Sequence, residues 1–123
     1  MNDNYSAFTL LEIMIVVAII GMLATIAIPS FIKSRNTTQQ NACINHLRII
    51  DSAKDQAALT QKWIPGIETD SSSNMPIINA YIKGNTVPVC PANGVYTYNP
   101  IGTNPTCSIT SPTSHRLPVQ SGG

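Results

Sequence analysis

Phe8-Thr-Leu-Leu-Glu-Ile-Met-Ile-Val-Val-Ala-Ile-Ile-Gly-Met-Leu-Ala-Thr-Ile-Ala-Ile-Pro29 decides the architecture of this 123-residue chain. A bilayer span needs about 20 mostly apolar residues, and this stretch is long enough. From Phe8 to Phe31 there are 13 Leu, Ile, Val or Phe residues and one charge, Glu12. Such residues favour insertion by about 4–8 kcal/mol in total, whereas one carboxylate near an end of the span costs at most about 3 kcal/mol. Insertion therefore wins. Two plainer readings compete. A buried core helix would need far more chain to cover it, because this one is apolar all round. A secretory signal cleaved near Ala27 should begin with a basic segment, yet Met1–Ala7 holds Asp3 and no Lys or Arg.

The rest of the chain is organised around this segment. Residues 33–62 carry seven charges, Lys33, Arg35, Arg48, Asp51, Lys54, Asp55 and Lys62. From Trp63 onward there are four charges but 14 of the 16 Pro and Gly residues. Charged residues are 11% of the whole and the net charge is +1, so no global field points to nucleic acid or an acidic substrate. With 43% apolar residues the chain is not disordered. The short remainder outside the long helix excludes a large enzyme with a deep cleft.

Glu12 is the informative residue of the span. Ionisable side chains inside membrane helices are rare and usually paired. The nearest downstream cation, Lys33, is 21 residues away, about 30 Å along a helix. The partner is expected from another molecule.

Ala7-Phe-Thr-Leu-Leu-Glu12, continuing through Gly21 to Pro29, resembles the N-terminus of a type IV pilin or a type II secretion pseudopilin. The resemblance covers about 25 residues in a specific order. It implies that a prepilin peptidase cleaves between Ala7 and Phe8 on the cytoplasmic side and methylates the new N-terminus at Phe8. It implies that Glu12 is the charge partner in assembly, and that the stretch from Gly21 to Pro29 breaks or unwinds the helix inside filaments. A free α-amine, with a reference pKa of about 7.7–8.0, is mostly cationic at neutral pH, and methylation keeps that charge. Buried together, the amine and a carboxylate offset each other's lost hydration. The pair can form within one helix at i, i+4 or between subunits. A repeated contact between subunits that does not close makes a helical filament, and the resemblance favours that version. Two departures stand out: Ala7 occupies a position usually held by Gly, and the leader is not basic. Lys33 and Arg35 follow the span, so the positive-inside rule argues against the orientation the resemblance implies. A basic stretch upstream of Met1 is expected to resolve that conflict.

The composition stays helix-compatible to about Lys62. Cys43, Leu47, Ile50, Ala53 and Ala57 share one helix face, with Arg48, Asp51 and Asp55 away from it and Lys54 flanking it. Pro65-Gly66 ends the helix. Pro29 is expected to kink it. The expected organisation is a leader (1–7), a hydrophobic membrane or filament-core half of the helix (8–29), an amphipathic half (30–63) and a small Pro/Gly-rich head (64–123). The fold class is α+β, a long N-terminal helix packed on a small antiparallel β head.

In the head, Val87–Cys90 reads as strand or loop, Gly94–Tyr98 as a strand, and Thr106–Ile109 as its return. This hairpin brings Cys90 and Cys107 together. A bridge between them closes a loop with 16 intervening residues, worth roughly 3 kcal/mol in the chain-entropy model. Cys43 reads as a buried thiol or as a strap to the head. No metal is expected: Cys43, Cys90, Cys107, His46 and His115 show neither C-x-x-C nor H-x-x-x-H spacing. His46 reads as an ordinary surface residue. Glu68, Asp70 and Ser71–Ser73 read as a solvated loop, although related pseudopilins hold calcium in their heads. Asn36-Thr-Thr38 fits a glycan acceptor by pattern only.

The function these residues support is structural and not enzymatic, with no cofactor: a subunit of a thin helical filament, in a type IV pilus or a secretion pseudopilus. The resemblance implies self-association, a prepilin peptidase, membrane lipid before assembly, and an inner-membrane platform with a cytoplasmic motor ATPase. It places the chain in the bacterial inner membrane as a single-pass protein with its head outside the cytoplasm. Two alternatives stand beside it. One is a minor pilin with a binding role in adhesion or DNA uptake, for which Lys83, Arg116, Tyr81, Tyr96 and Tyr98 offer thin support. The other is a membrane-anchored or secreted domain unrelated to filaments.

Overall fold

The computed structural model describes residues 7–118; Met1–Ser6 of the expected leader lie outside the described residues. In chain order the elements are α1 (Leu10–Gln61), α2 (Asn74–Asn79), β1 (Tyr96–Thr97) and β2 (Thr106–Cys107). The long helix and small antiparallel sheet make this an α+β protein, as the sequence implies. The chain divides into two units, one ending at Arg35 and one beginning at Asn36.

The first unit is the apolar part of α1 and the residues before it. Ala7, Phe8 and Thr9 are exposed and non-helical. Thr9 then starts the helix. Its Oγ1 accepts the Glu12 amide at 3.2 Å, satisfying one of the four orphan donors of a helix start, and its carbonyl accepts the Ile13 amide at 3.2 Å, the first regular bond of the helix. The helix continues without interruption through Gly21 and Pro29. Proline costs the helix one donor, but its fixed φ is helical and the turns on either side carry the chain across. Every residue from 7 to 35 is exposed, including Phe8, Leu11, Ile19, Leu23 and Phe31. An apolar surface of this extent does not remain in water.

The second unit is built on the rest of α1. Cys43, Leu47, Ile50, Ala53, Lys54 and Ala57 form its buried face, the stripe expected from the spacing with Lys54 added. Two clusters cover it. Ile50, Ala53 and Ala57 pack with Ile78 of α2, Ile82 and Tyr98. Cys43 and Leu47 pack with Cys90 and Cys107. Tyr96 borders both.

α1 ends at a left-handed Lys62, φ 57°, and the Trp63 amide returns to the Ala58 carbonyl at 2.9 Å. This six-to-one bond is the usual closure of a helix C-terminus. The chain then pairs with a distant loop: the Gly66 amide donates to the Ile101 carbonyl at 2.9 Å, and the Ile101 amide to the Ile67 carbonyl at 3.0 Å. The hairpin is shorter than the sequence suggests. β1 and β2 pair antiparallel, with Tyr96 opposite Cys107 and Thr97 opposite Thr106. Val87–Cys90 is loop, and α2 stands in a region read as strands and turns. Asn74 holds the start of α2, its amide bonded to Ser71 Oγ at 3.1 Å and its Nδ2 to the Glu68 carbonyl at 2.6 Å.

Candidate functional site

Two places carry the chemistry that the sequence singles out. The first is the N-terminal segment. The Ala7–Phe8 bond lies in exposed, irregular backbone directly ahead of the Thr9 cap, an accessible geometry for a peptidase. Glu12 occupies the third helical position with an exposed side chain. Thr9-x-x-Glu12 fits the sequence pattern of a helix cap, the signal in the sequence for this start.

The second place is inside the head. Cys43 of α1, Cys90, Cys107 of β2 and His115 are all buried, and their ligand atoms lie within 4.8 Å of one another. Cys90 Sγ is 3.7 Å from Cys107 Sγ and 3.8 Å from His115 Nδ1. All three cysteines are free thiols. The sulfurs of the expected Cys90–Cys107 pair are thus brought together by the fold as neighbours and stand unbonded in this structure. Burial pushes the Cys43 thiol up to about 12. The backbone N–H groups of Ala92 and Gly94 donate to Cys90 Sγ and favour its thiolate against the cost of burial, so that its pKa is lowered. Tyr96 is hydrogen-bonded to Cys43, and its hydroxyl lies 3.0 Å from His46 Nδ1. His46, read as a surface residue, is thus half-buried and partnered. Spacing alone concealed the cluster because each of its members comes from a different segment.

Gly94 makes this convergence possible. A Cβ there would lie 2.6 Å from Cys107 Sγ, 2.7 Å from Ile109 Cγ1 and 3.2 Å from Cys90 Sγ. The segments are tied down nearby: Gln39 Nε2 donates to the Pro91 carbonyl at 3.2 Å and Gln40 Nε2 to the Ser114 carbonyl at 2.8 Å.

Two charged residues have structural posts that sequence reasoning did not assign. Lys54 was placed at the flank of the buried face; it is instead 1% exposed. Its Nζ donates to the carbonyls of Tyr98 at 2.6 Å, Pro100 at 3.2 Å and Thr103 at 2.6 Å. Three donors meet three acceptors, which is what allows an ammonium to be buried. Burial pulls the Lys54 pKa down, opposed by Asp51, Asp55 and Asp70. Asp70, read as part of a solvated loop, accepts the Tyr98 amide at 2.7 Å and the Asn99 amide at 2.9 Å. With Ser71 Oγ also engaged, the 68–73 loop is a brace for the hairpin.

An exposed apolar helical segment with a capped start and a small head built on the later turns of α1 are the two parts to compare with known proteins. Residues 2–28 match the family model described as the prokaryotic N-terminal methylation motif. The type IV major pilin protein PilA of Myxococcus xanthus is 47% identical over 53 residues, 43% of this chain and 24% of that protein. A fimbrial protein of Pseudomonas aeruginosa is 39% identical over 70 residues, covering 57% of this chain and 46% of its own length. The type II secretion system core protein G of Escherichia coli K12 is 27% identical over 98 residues, 75% of this chain and 68% of that protein. The chain thus spans less than half the length of the first two. No solved structure matches it. The chain carries the prepilin-type methylation motif, and its similarities run to both type IV pilins and type II secretion core proteins.

Proposed function

We propose that the chain is a structural subunit of a thin helical filament, a type IV pilus or a type II secretion pseudopilus, and not an enzyme. The observation that carries this reading is the unburied apolar half of α1, headed by the methylation motif. Such a surface needs lipid before assembly and neighbouring copies of itself afterwards. Prepilin peptidase removes Met1–Ala7 and methylates Phe8. The chain waits in the inner membrane with its head outside the cytoplasm. An assembly platform with a cytoplasmic motor ATPase then drives polymerisation. The Phe8 amine of one subunit pairs with Glu12 of the next, and the Gly21–Pro29 stretch gives way when the filament is packed or stretched.

The DNA-binding alternative loses support in the head. Tyr98 is 1% exposed and its hydroxyl donates to Asn79 Oδ1 at 2.6 Å, while Tyr96 is half-buried beside His46. Neither offers a stacking face to a base.

The test is expression in hosts with and without a prepilin peptidase, followed by shearing and electron microscopy. Sheared fibres that contain the chain only where the peptidase is present are the expected result. A chain that stays in the membrane fraction unpolymerised in a complete assembly background would overturn the reading.

A further inference from the structure

We propose that Cys43, Cys90, Cys107 and His115 form a structural zinc site that clamps the head onto α1. The four ligand atoms are buried and lie within 4.8 Å of one another. A tetrahedral zinc with Zn–S of about 2.3 Å and Zn–N of about 2.0–2.1 Å sets S···S edges near 3.8 Å and S···N edges near 3.6 Å. The observed Cys90–Cys107 separation is 3.7 Å and the Cys90–His115 separation 3.8 Å. These two edges match the tetrahedral values, and with no pair of ligand atoms farther apart than 4.8 Å, a contraction of at most about 1 Å closes the four around one metal.

The donor set selects the metal. Three thiolates and one imidazole form a soft, four-coordinate shell, which suits zinc over calcium or magnesium. The surroundings suit a metal-bound thiolate site. The amides of Ala92 and Gly94 donate to Cys90 Sγ. The Tyr96 hydroxyl, backed by His46, reaches Cys43. Outer-shell donors of this kind spread the charge left on thiolate ligands. Gly94 leaves room for the sulfurs, which any Cβ would displace.

A Cys90–Cys107 disulfide would use two of these groups and leave Cys43 and His115 buried beside it without a task. Zinc uses all four. On binding, each coordinating thiol releases its proton to solvent, and the imidazole ligates as the neutral base. Nothing is oxidised. Because α1 supplies Cys43 and the head supplies the other three ligands, the metal ties together residues 72 positions apart in sequence, from Cys43 to His115.

The test uses the full chain, solubilised in detergent and purified without reductant or chelator. Zinc is counted per chain by plasma mass spectrometry, and Co2+ replaces it for spectroscopy. One zinc per chain is expected. The cobalt form should show thiolate-to-metal charge transfer and the intense visible bands of a tetrahedral site. Cys43→Ser and His115→Ala should each lose the metal, and Tyr96→Phe should weaken zinc binding by about 10–100-fold. The wild-type cobalt spectrum does not depend on any variant folding. The proposal is overturned if isolated chain carries a Cys90–Cys107 cross-link in peptide mass spectra. It is equally overturned if reduced wild-type chain retains no zinc after equilibration with the metal.

Discussion

Glu12 and Lys54 show how differently one charge can be used in one helix. Glu12 is exposed on an apolar segment, and in the proposed filament its counter-charge is the Phe8 amine of a neighbouring subunit. Removing one partner of a buried ion pair costs about 3–5 kcal/mol. Glu12→Ala is therefore expected to leave membrane insertion and cleavage intact while lowering fibre yield at least tenfold, measured by immunoblot of sheared fractions. Normal yields would exclude the pairing. Lys54 is satisfied within the head by three carbonyls. Lys54→Met keeps the stem's bulk but strands those acceptors, and should cost about 2–4 kcal/mol of head stability, read from denaturant unfolding of the solubilised chain. Asp51 is the opposite case. Burial, reinforced by Asp55, raises its pKa above 3.8. The folded state therefore holds its proton more tightly than the unfolded state, and stability is lost as pH rises through the folded value. Asp51→Asn should raise the melting temperature slightly at neutral pH, by relief of a like-charge pair worth about 0.2–0.5 kcal/mol. The gain should shrink as the pH falls through the raised folded pKa of Asp51, where that carboxylate takes up its proton.

At the scale of elements, α1 was legible almost throughout. Its apolar run, the Cys43–Ala57 stripe and the Pro65-Gly66 stop all follow from periodicity and turn chemistry. Its end at Gln61 and the left-handed Lys62 agree closely with the expected terminus. Lys54 was misjudged because periodicity treats charge as outward-facing; only the carbonyls of the 98–103 turn explain its burial. The hairpin was legible as two pairing strands and not in extent, because loop bonds such as Asp70 to Tyr98 and Asn99 take over where the strands stop. α2 carries no periodic signal, being six residues long. Gly94, two residues ahead of β1, sits against Cys107, Ile109 and Cys90 with no room for a Cβ. Gly94→Ala should force apart the strand and the Cys90 turn, at a cost of about 1–3 kcal/mol, checked by thermal melting. An unchanged midpoint would mean the sulfurs have room to move.

At the scale of the whole molecule, the sequence divides its information unevenly. In the proposed function the N-terminal quarter acts through its linear order, because a peptidase and a bilayer both read contiguous residues. The head hides its chemistry, because Cys43, Cys90, Cys107 and His115 come together only through the fold. The proposed function rests on the first of these, a chain that is cut, methylated and polymerised through its apolar stem. The most direct measurement is N-terminal mass spectrometry of the chain recovered from sheared surface fibres. A chain that begins at Phe8 with one added methyl group is expected. A chain that begins at Met1, or near Ile28 after signal-type cleavage, would contradict it.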